Sequence, residues 1–129
     1  MTYAFRKARP DANQAAIIAE LEAHSVRVLD LSSAGDGIPD LLTWHRERTV
    51  LIELKSGVKD AYLKRSQIEL MVHWPGHCGI AVDAAAAVRL ATEPERYALT
   101  AGQKLKLGGF ATKMAGKQAR LSAVLKVIE

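Results

Sequence analysis

Three strand-like runs follow one another between residues 26 and 54, and they commit the chain to a sheet. Val26-Arg-Val-Leu-Asp-Leu31 alternates apolar and polar residues, Ser32 to Gly37 has loop chemistry, and two further runs follow at Asp40 to about His45 and Thr49 to Leu54. The polar turn Arg46-Glu47-Arg48 separates the last two, so they read as a hairpin. Helical patterns flank this block. Asp11 follows Pro10 and precedes Ala-Asn-Gln-Ala-Ala-Ile-Ile-Ala-Glu-Leu, which predicts an N-cap and a helix over about 11–24, with an inward stripe running from Gln14 through Ile18 and Leu21 to Ser25. Ser66-Gln-Ile-Glu69 has capping-box spacing and opens a helix to about Trp74, where Pro75-Gly76 stops it. Cys78 to Val82 reads as a short buried strand, and Asp83 caps the helix that starts in the alanine run. The order α-β-β-β-α-β-α predicts an α/β fold, a mixed sheet flanked by helices.

The remainder is less regular. Residues 56–63 suggest an exposed connection around Gly57, residues 92–109 lack clear periodicity, and Gly108-Gly109 suggests a hinge. From about Ala111, Met114, Leu121, Leu125 and Ile128 mark one face of a C-terminal helix, with Lys113, Lys117 and Arg120 on another. At 129 residues the chain is expected to form a single domain. Its net charge of +4 is unevenly spread: residues 1–100 carry 12 Lys/Arg against 13 Asp/Glu, and residues 101–129 carry 6 against one. The lone Cys78 excludes an intramolecular disulfide and a thiolate metal site, so any metal is held mainly by oxygen. No run of about 18 apolar residues predicts a membrane span, and the charged opening has no apolar stretch behind it. A cytoplasmic protein is expected.

Two segments converge on chemistry. In Gly37-Ile-Pro-Asp40, Pro39 blocks earlier ladder pairing and Asp40 stands at the strand entrance. Thirteen residues later, Ile52-Glu53-Leu54-Lys55 ends the returning strand of the hairpin, so Asp40 and Glu53 come to the same end of the sheet. Glu53 and Lys55, two apart, share a face. Two carboxylates and an ammonium in one small volume are costly without a use, and a divalent cation resolves the repulsion. Mg²⁺ suits Asp40, Glu53 and the backbone carbonyl of Leu54, with sites left for water and a phosphate oxygen. Lys55 would then orient the nucleophile or neutralise charge on the phosphorane, which makes the expected reaction phosphodiester hydrolysis.

The blocks Asp-Ala-Asn-Gln, Gly-Asp-Gly-Ile-Pro-Asp-Leu-Leu, Leu-Ile-Glu-Leu-Lys-Ser-Gly and Ser-Gln-Ile-Glu occur in that order over about residues 9–91. This stretch resembles the VRR-NUC branch of the PD-(D/E)xK nucleases, especially the minimal, stand-alone members of phages and prophages. The resemblance implies a restriction-endonuclease-like core over about 9–91, with residues 92–129 a basic extension. It implies that Asp40 and Glu53 are metal ligands, that Lys55 is the catalytic lysine, and that Gln67 is the glutamine of the following helix. Gly37 matches the glycine ahead of the Pro-Asp. Many relatives carry a glutamate on the first helix; this chain offers Asn13 and Gln14 there, as possible support for a metal or its water.

From the residues themselves, Gln67 opens a stripe continued by Leu70, Met71 and Trp74. Lys59, Lys64 and Arg65, between the catalytic strand and that helix, are candidate DNA contacts, as are Lys113, Lys117 and Arg120. His73 and His77 lack a third ligand in sequence and are expected to be structural or on the surface. The resulting expectation is a Mg²⁺- or Mn²⁺-dependent deoxyribonuclease of a bacterial or phage-infected cell. By resemblance to Holliday-junction resolvases it would act on branched DNA, as a homodimer. The alternatives are a nuclease for flaps or nicked duplex, and a non-catalytic DNA-binding or assembly protein with a decayed site.

Overall fold

The computed structural model describes residues 2–4 and 12–129. Asp11, the expected N-cap, lies outside them. Helix α1 spans Ala12–Ala23 and strand β2 spans Arg27–Asp30, following β1 at Thr2–Ala4. The helix does not carry its stripe to Ser25, which is exposed with φ 63°. The N–H groups of Ser25 and Val26 fold back onto the carbonyls of Glu22 and Leu21 at 3.0 and 3.1 Å, a closure that satisfies the last carbonyls and turns the chain into β2.

Strands β3 (Leu41–His45) and β4 (Arg48–Leu54) form the expected hairpin. Its two-residue turn, Arg46-Glu47, has positive φ at both positions, 51° and 66°, the twist that suits a tight hairpin. A five-stranded sheet results in the order β1-β2-β3-β4-β6, where β6 is His77–Ala81. The β2-β3-β4 ladder is antiparallel, and the β1-β2 and β4-β6 pairs are parallel. The fold is α/β with a mixed sheet between helices. Helices α1 and α3 (Ala84–Thr92) cover one face, where Ile17, Leu21, Val28, Leu41, Val50, Ile52 and Leu90 pack. Helix α2 (Arg65–His73) covers the other, where its Met71 packs with Leu51 and Cys78. Both faces of β4 are therefore dry, and residues 50 to 53 are all buried.

Helix α2 starts two residues earlier than the capping-box spacing suggests. Its N-cap position is Lys64, whose N–H donates to Gln67 Oε1 at 2.8 Å, while Ser66 and Glu69 are exposed. Asp83 caps α3 as expected, accepting the Ala86 N–H at 2.7 Å.

The C-terminal third departs most from expectation. Residues 92–109 include helix α4 (Pro94–Tyr97) and most of α5 (Ala101–Lys113), so Gly108-Gly109 is helix interior and not a hinge. No single helix continues from Ala111. The chain turns after Lys113 and forms strand β7 (Gln118–Arg120), then helix α6 (Leu121–Ile128). Strand β7 pairs with β5 (Tyr62–Lys64), inside the stretch read as an exposed connection, and the two form a separate antiparallel ribbon. Leu63, Ile68, Leu107, Ala111, Leu121 and Val124 make one cluster, so the tail builds core with α2 and is not an appended extension. Among the described residues no helix is long and apolar enough to cross a membrane.

Candidate active site

The site lies where the open end of the hairpin meets α2. Asp40 precedes β3, and its carbonyl accepts the Leu31 N–H at 2.7 Å. Its Oδ2 accepts the Leu54 N–H at 2.8 Å, so the side chain is fixed against the far strand. Glu53 is 3% exposed, on the α2 face of β4. Its Oε2 accepts from Gln67 Nε2 at 3.1 Å and lies 3.4 Å from Lys55 Nζ. Asp40, Glu53, Lys55 and Gln67, expected from the sequence, thus meet at one point.

Electrostatics define the site's resting state. Glu53 is raised from 4.5 to about 8, by burial first and then by the Asp40 charge, with Lys55 opposing both. Asp40 is also raised, first by burial and then by the Asp30 charge, against the lowering effects of the Leu54 N–H, Lys55 and a hydrogen bond from Glu53. At neutral pH Glu53 therefore carries a proton, which it holds in a hydrogen bond to Asp40. Two acids held close enough to share one proton are an arrangement that a cation can replace.

The loop that brings Asp40 here is clamped to α2. Gly37 has φ +79°, and a Cβ on it would lie 2.6 Å from the backbone carbon and oxygen of Ser66. Only glycine fits both the backbone conformation and the close approach.

Asn13 and Gln14 have partners of their own. Asn13 Nδ2 donates to Ser56 Oγ at 3.2 Å. Gln14, buried as its stripe requires, donates through Nε2 to Asp30 Oδ1 at 3.1 Å. Asp30 is a site residue that sequence reasoning missed: it is buried, and its charge acts on Asp40. The signal was an acid inside the alternating run Val28-Leu-Asp-Leu31. Its Oδ1 also takes the N–H and hydroxyl of Ser32, at 2.9 and 2.6 Å.

Of the candidate DNA contacts, Lys59, Lys64, Lys113, Lys117 and Arg120 are exposed. Arg65 has a different occupation. Its guanidinium donates to the carbonyls of Ala111, Met114 and Gly116 at 2.8, 2.9 and 2.9 Å, closing the C-terminus of α5, and its N–H donates to Lys117 at 2.8 Å. His77 faces Glu95, 3.8 Å away, and His73 is exposed. Among the described residues no three His, Cys, Asp or Glu side chains group as a metal site, so a cation here would have two carboxylates, Asp40 and Glu53, and would need backbone and water for the rest. Mg²⁺ is commonly held by one or two carboxylates and several waters, and the pair fits such an ion. Comparison with family models, with curated proteins and with solved structures returns no match.

Proposed function

We propose that the chain is a metal-dependent endonuclease that hydrolyses DNA phosphodiester bonds, in the manner of the VRR-NUC and PD-(D/E)xK nucleases that its motifs resemble. The observation that carries this reading is the meeting of half-buried Asp40 with buried Glu53, which Lys55 approaches to 3.4 Å and Gln67 to 3.1 Å. A structural carboxylate pair with no ligand would raise the energy of the fold without return.

A divalent cation, Mg²⁺ or Mn²⁺, held by Asp40, Glu53 and the Leu54 carbonyl, would supply Lewis acidity toward water and a phosphate oxygen. The chain's own groups do the rest. Glu53 would hold the ion in its deprotonated form, so loading the site would release its proton to solvent. Gln67 keeps Glu53 in register, and the Leu54 N–H does the same for Asp40. Lys55, its ammonium beside the carboxylate, orients the attacking water and offsets the charge that builds on phosphorus as the P–O bond to the departing sugar breaks.

The substrate we assign is branched DNA such as a Holliday junction, because the stand-alone nucleases that the motifs resemble are themselves similar to Holliday-junction resolvases. Two strands cut at one junction require two sites, hence a symmetric homodimer. The test is a panel of branched, tailed, single-stranded and duplex DNA with Mg²⁺, Mn²⁺ or chelator. Metal-dependent cleavage favouring branched forms supports the reading, and no cleavage of any substrate in either metal overturns it.

A further inference from the structure

The ribbon of β5 and β7 presents an outer face of unusual chemistry. Alternate residues of a strand share a face. Leu63 is fully buried and Ala119 packs in the same cluster, so Tyr62, Lys64, Gln118 and Arg120 point outward. The register sets Tyr62 opposite Arg120 and Lys64 opposite Gln118. The Arg120 guanidinium lies over the Tyr62 ring, 5.4 Å from its centroid, and the tyrosine is still 38% exposed. Beside this pair a cavity of about 400 Å³ is lined by Lys64, Arg65, Ser66, Lys117 and Gln118. Among the described residues, neither Lys64 nor Lys117 has a carboxylate at ion-pair distance.

An exposed ring backed by a guanidinium is a stacking platform, and two unpaired ammonium groups beside it suit phosphates about one nucleotide away. A duplex hides the faces of its bases, whereas an unpaired strand offers them. We infer that the outer face of the β5–β7 ribbon holds an unpaired stretch of nucleic-acid strand, with a base stacked on Tyr62 and Arg120 and the backbone on Lys64 and Lys117. This rests on the nuclease reading only for its purpose. The Lys64 N–H is bonded to Gln67, and Gln67 to Glu53, so the strand surface is two hydrogen bonds from the site. Selectivity for branched substrates would come from the unpaired segment at the branch.

Binding is measured on the full chain in chelator, by fluorescence anisotropy of labelled oligothymidine, of a blunt duplex, and of the duplex with a single-stranded tail. The single strand and the tailed duplex are expected to bind more tightly than the blunt one. Tyr62→Ala should weaken single-strand binding about tenfold, and Tyr62→Phe should restore it. Lys64→Ala with Lys117→Ala should lower the slope of log affinity against log salt by roughly 1.4, about 0.7 per phosphate contact. Arg27→Ala, on β2, should change neither. Should Tyr62→Ala fail to fold, Arg120→Gln carries the same test. Unchanged single-strand affinity in the folded variant overturns the inference, as does wild-type protein that prefers polyglutamate to every oligonucleotide. Cleavage is scored separately in Mn²⁺. Its absence with the binding pattern intact refutes the nuclease reading alone, and cleavage with Tyr62→Ala binding normally refutes the ribbon alone.

Discussion

Asp40 accepts the backbone N–H of Leu54 across the open end of the β3–β4 hairpin, at 2.8 Å. The bond locks one acid of the pair to the residue that follows the other, so backbone fixes where the Asp40 carboxylate stands on β4 while Gln67 holds that of Glu53. Asp40→Asn and Glu53→Gln should each lower cleavage by more than about a hundredfold. Both keep the shape and the capacity to hydrogen-bond, so circular dichroism and melting should show an intact fold. Normal turnover by either purified variant would remove the active-site assignment.

Stability without metal should depend on pH through Glu53. Its folded value, about 8, lies above the unfolded 4.5, so the native state holds a proton that the unfolded chain releases. That contribution is complete below pH 4.5 and is lost as pH rises through about 8. Denaturation in chelator should show a fall of roughly 3–5 kcal/mol over this window. Glu53→Gln, which cannot ionise, should flatten the fall, and Mn²⁺ should oppose it by binding the ionised form. A wild-type profile as flat as the variant's would contradict the protonated state of Glu53.

Only one cation per chain should bind tightly, with better activity in Mn²⁺ than in Mg²⁺. Gln14 brings an amide where an acid would strengthen a second position, and it is turned to Asp30. Mn²⁺ tolerates softer and less charged donor sets. Titration calorimetry that resolves two tight Mg²⁺ ions would refute this.

Gly37→Ala should cost roughly 2–4 kcal/mol, since it combines an unfavourable positive φ with a Cβ 2.6 Å from Ser66 backbone. The loop carrying Asp40 must then lift from α2. Metal affinity, read by calorimetry on protein still folded, should fall with it, whereas a merely local strain would leave affinity unchanged.

Arg65→Ala should lower stability by about 2 kcal/mol, through three carbonyls left at the end of α5. Arg65→Lys should recover little, because an ammonium cannot span the three acceptors. Neither change should alter the salt dependence of DNA binding. A shallower slope in Arg65→Ala would return the residue to the phosphate-contacting set.

The middle of the chain was legible because its periodicity and its turns agree. Val50 and Ile52 alternate with Leu51 and Glu53, Pro39 marks a strand entrance, and the acids fall at one end of a hairpin, so the Asp40–Glu53–Lys55 grouping follows from spacing alone. Gln67 was visible as an amide in an apolar stripe. Asp30 was not, because an acid in a short alternating run looks the same whether it faces water or the site. Helix α5 was obscured by Gly102, Gly108 and Gly109, although Thr100 and Gln103 have capping-box spacing and make its reciprocal bonds, at 3.1 and 2.8 Å. The ribbon was hidden for another reason. Strands of three residues, Tyr62–Lys64 and Gln118–Arg120, are too short to show a period, and their pairing spans more than fifty positions. Arg65 reads as a surface charge until the end of α5 is folded against it.

Cys78 lies on the inner strand surface, fully buried against Met71, with its Sγ 3.6 Å from the Met71 carbonyl and its thiol raised by burial. As the sole cysteine in 129 residues, it is a silent handle in the native molecule. A thiol-specific dye can mark it only in molecules whose α2 layer has parted from β6. The labelling rate at rising denaturant therefore separates opening of the layer behind Gln67 from unfolding of the whole chain, and it does so without a single substitution.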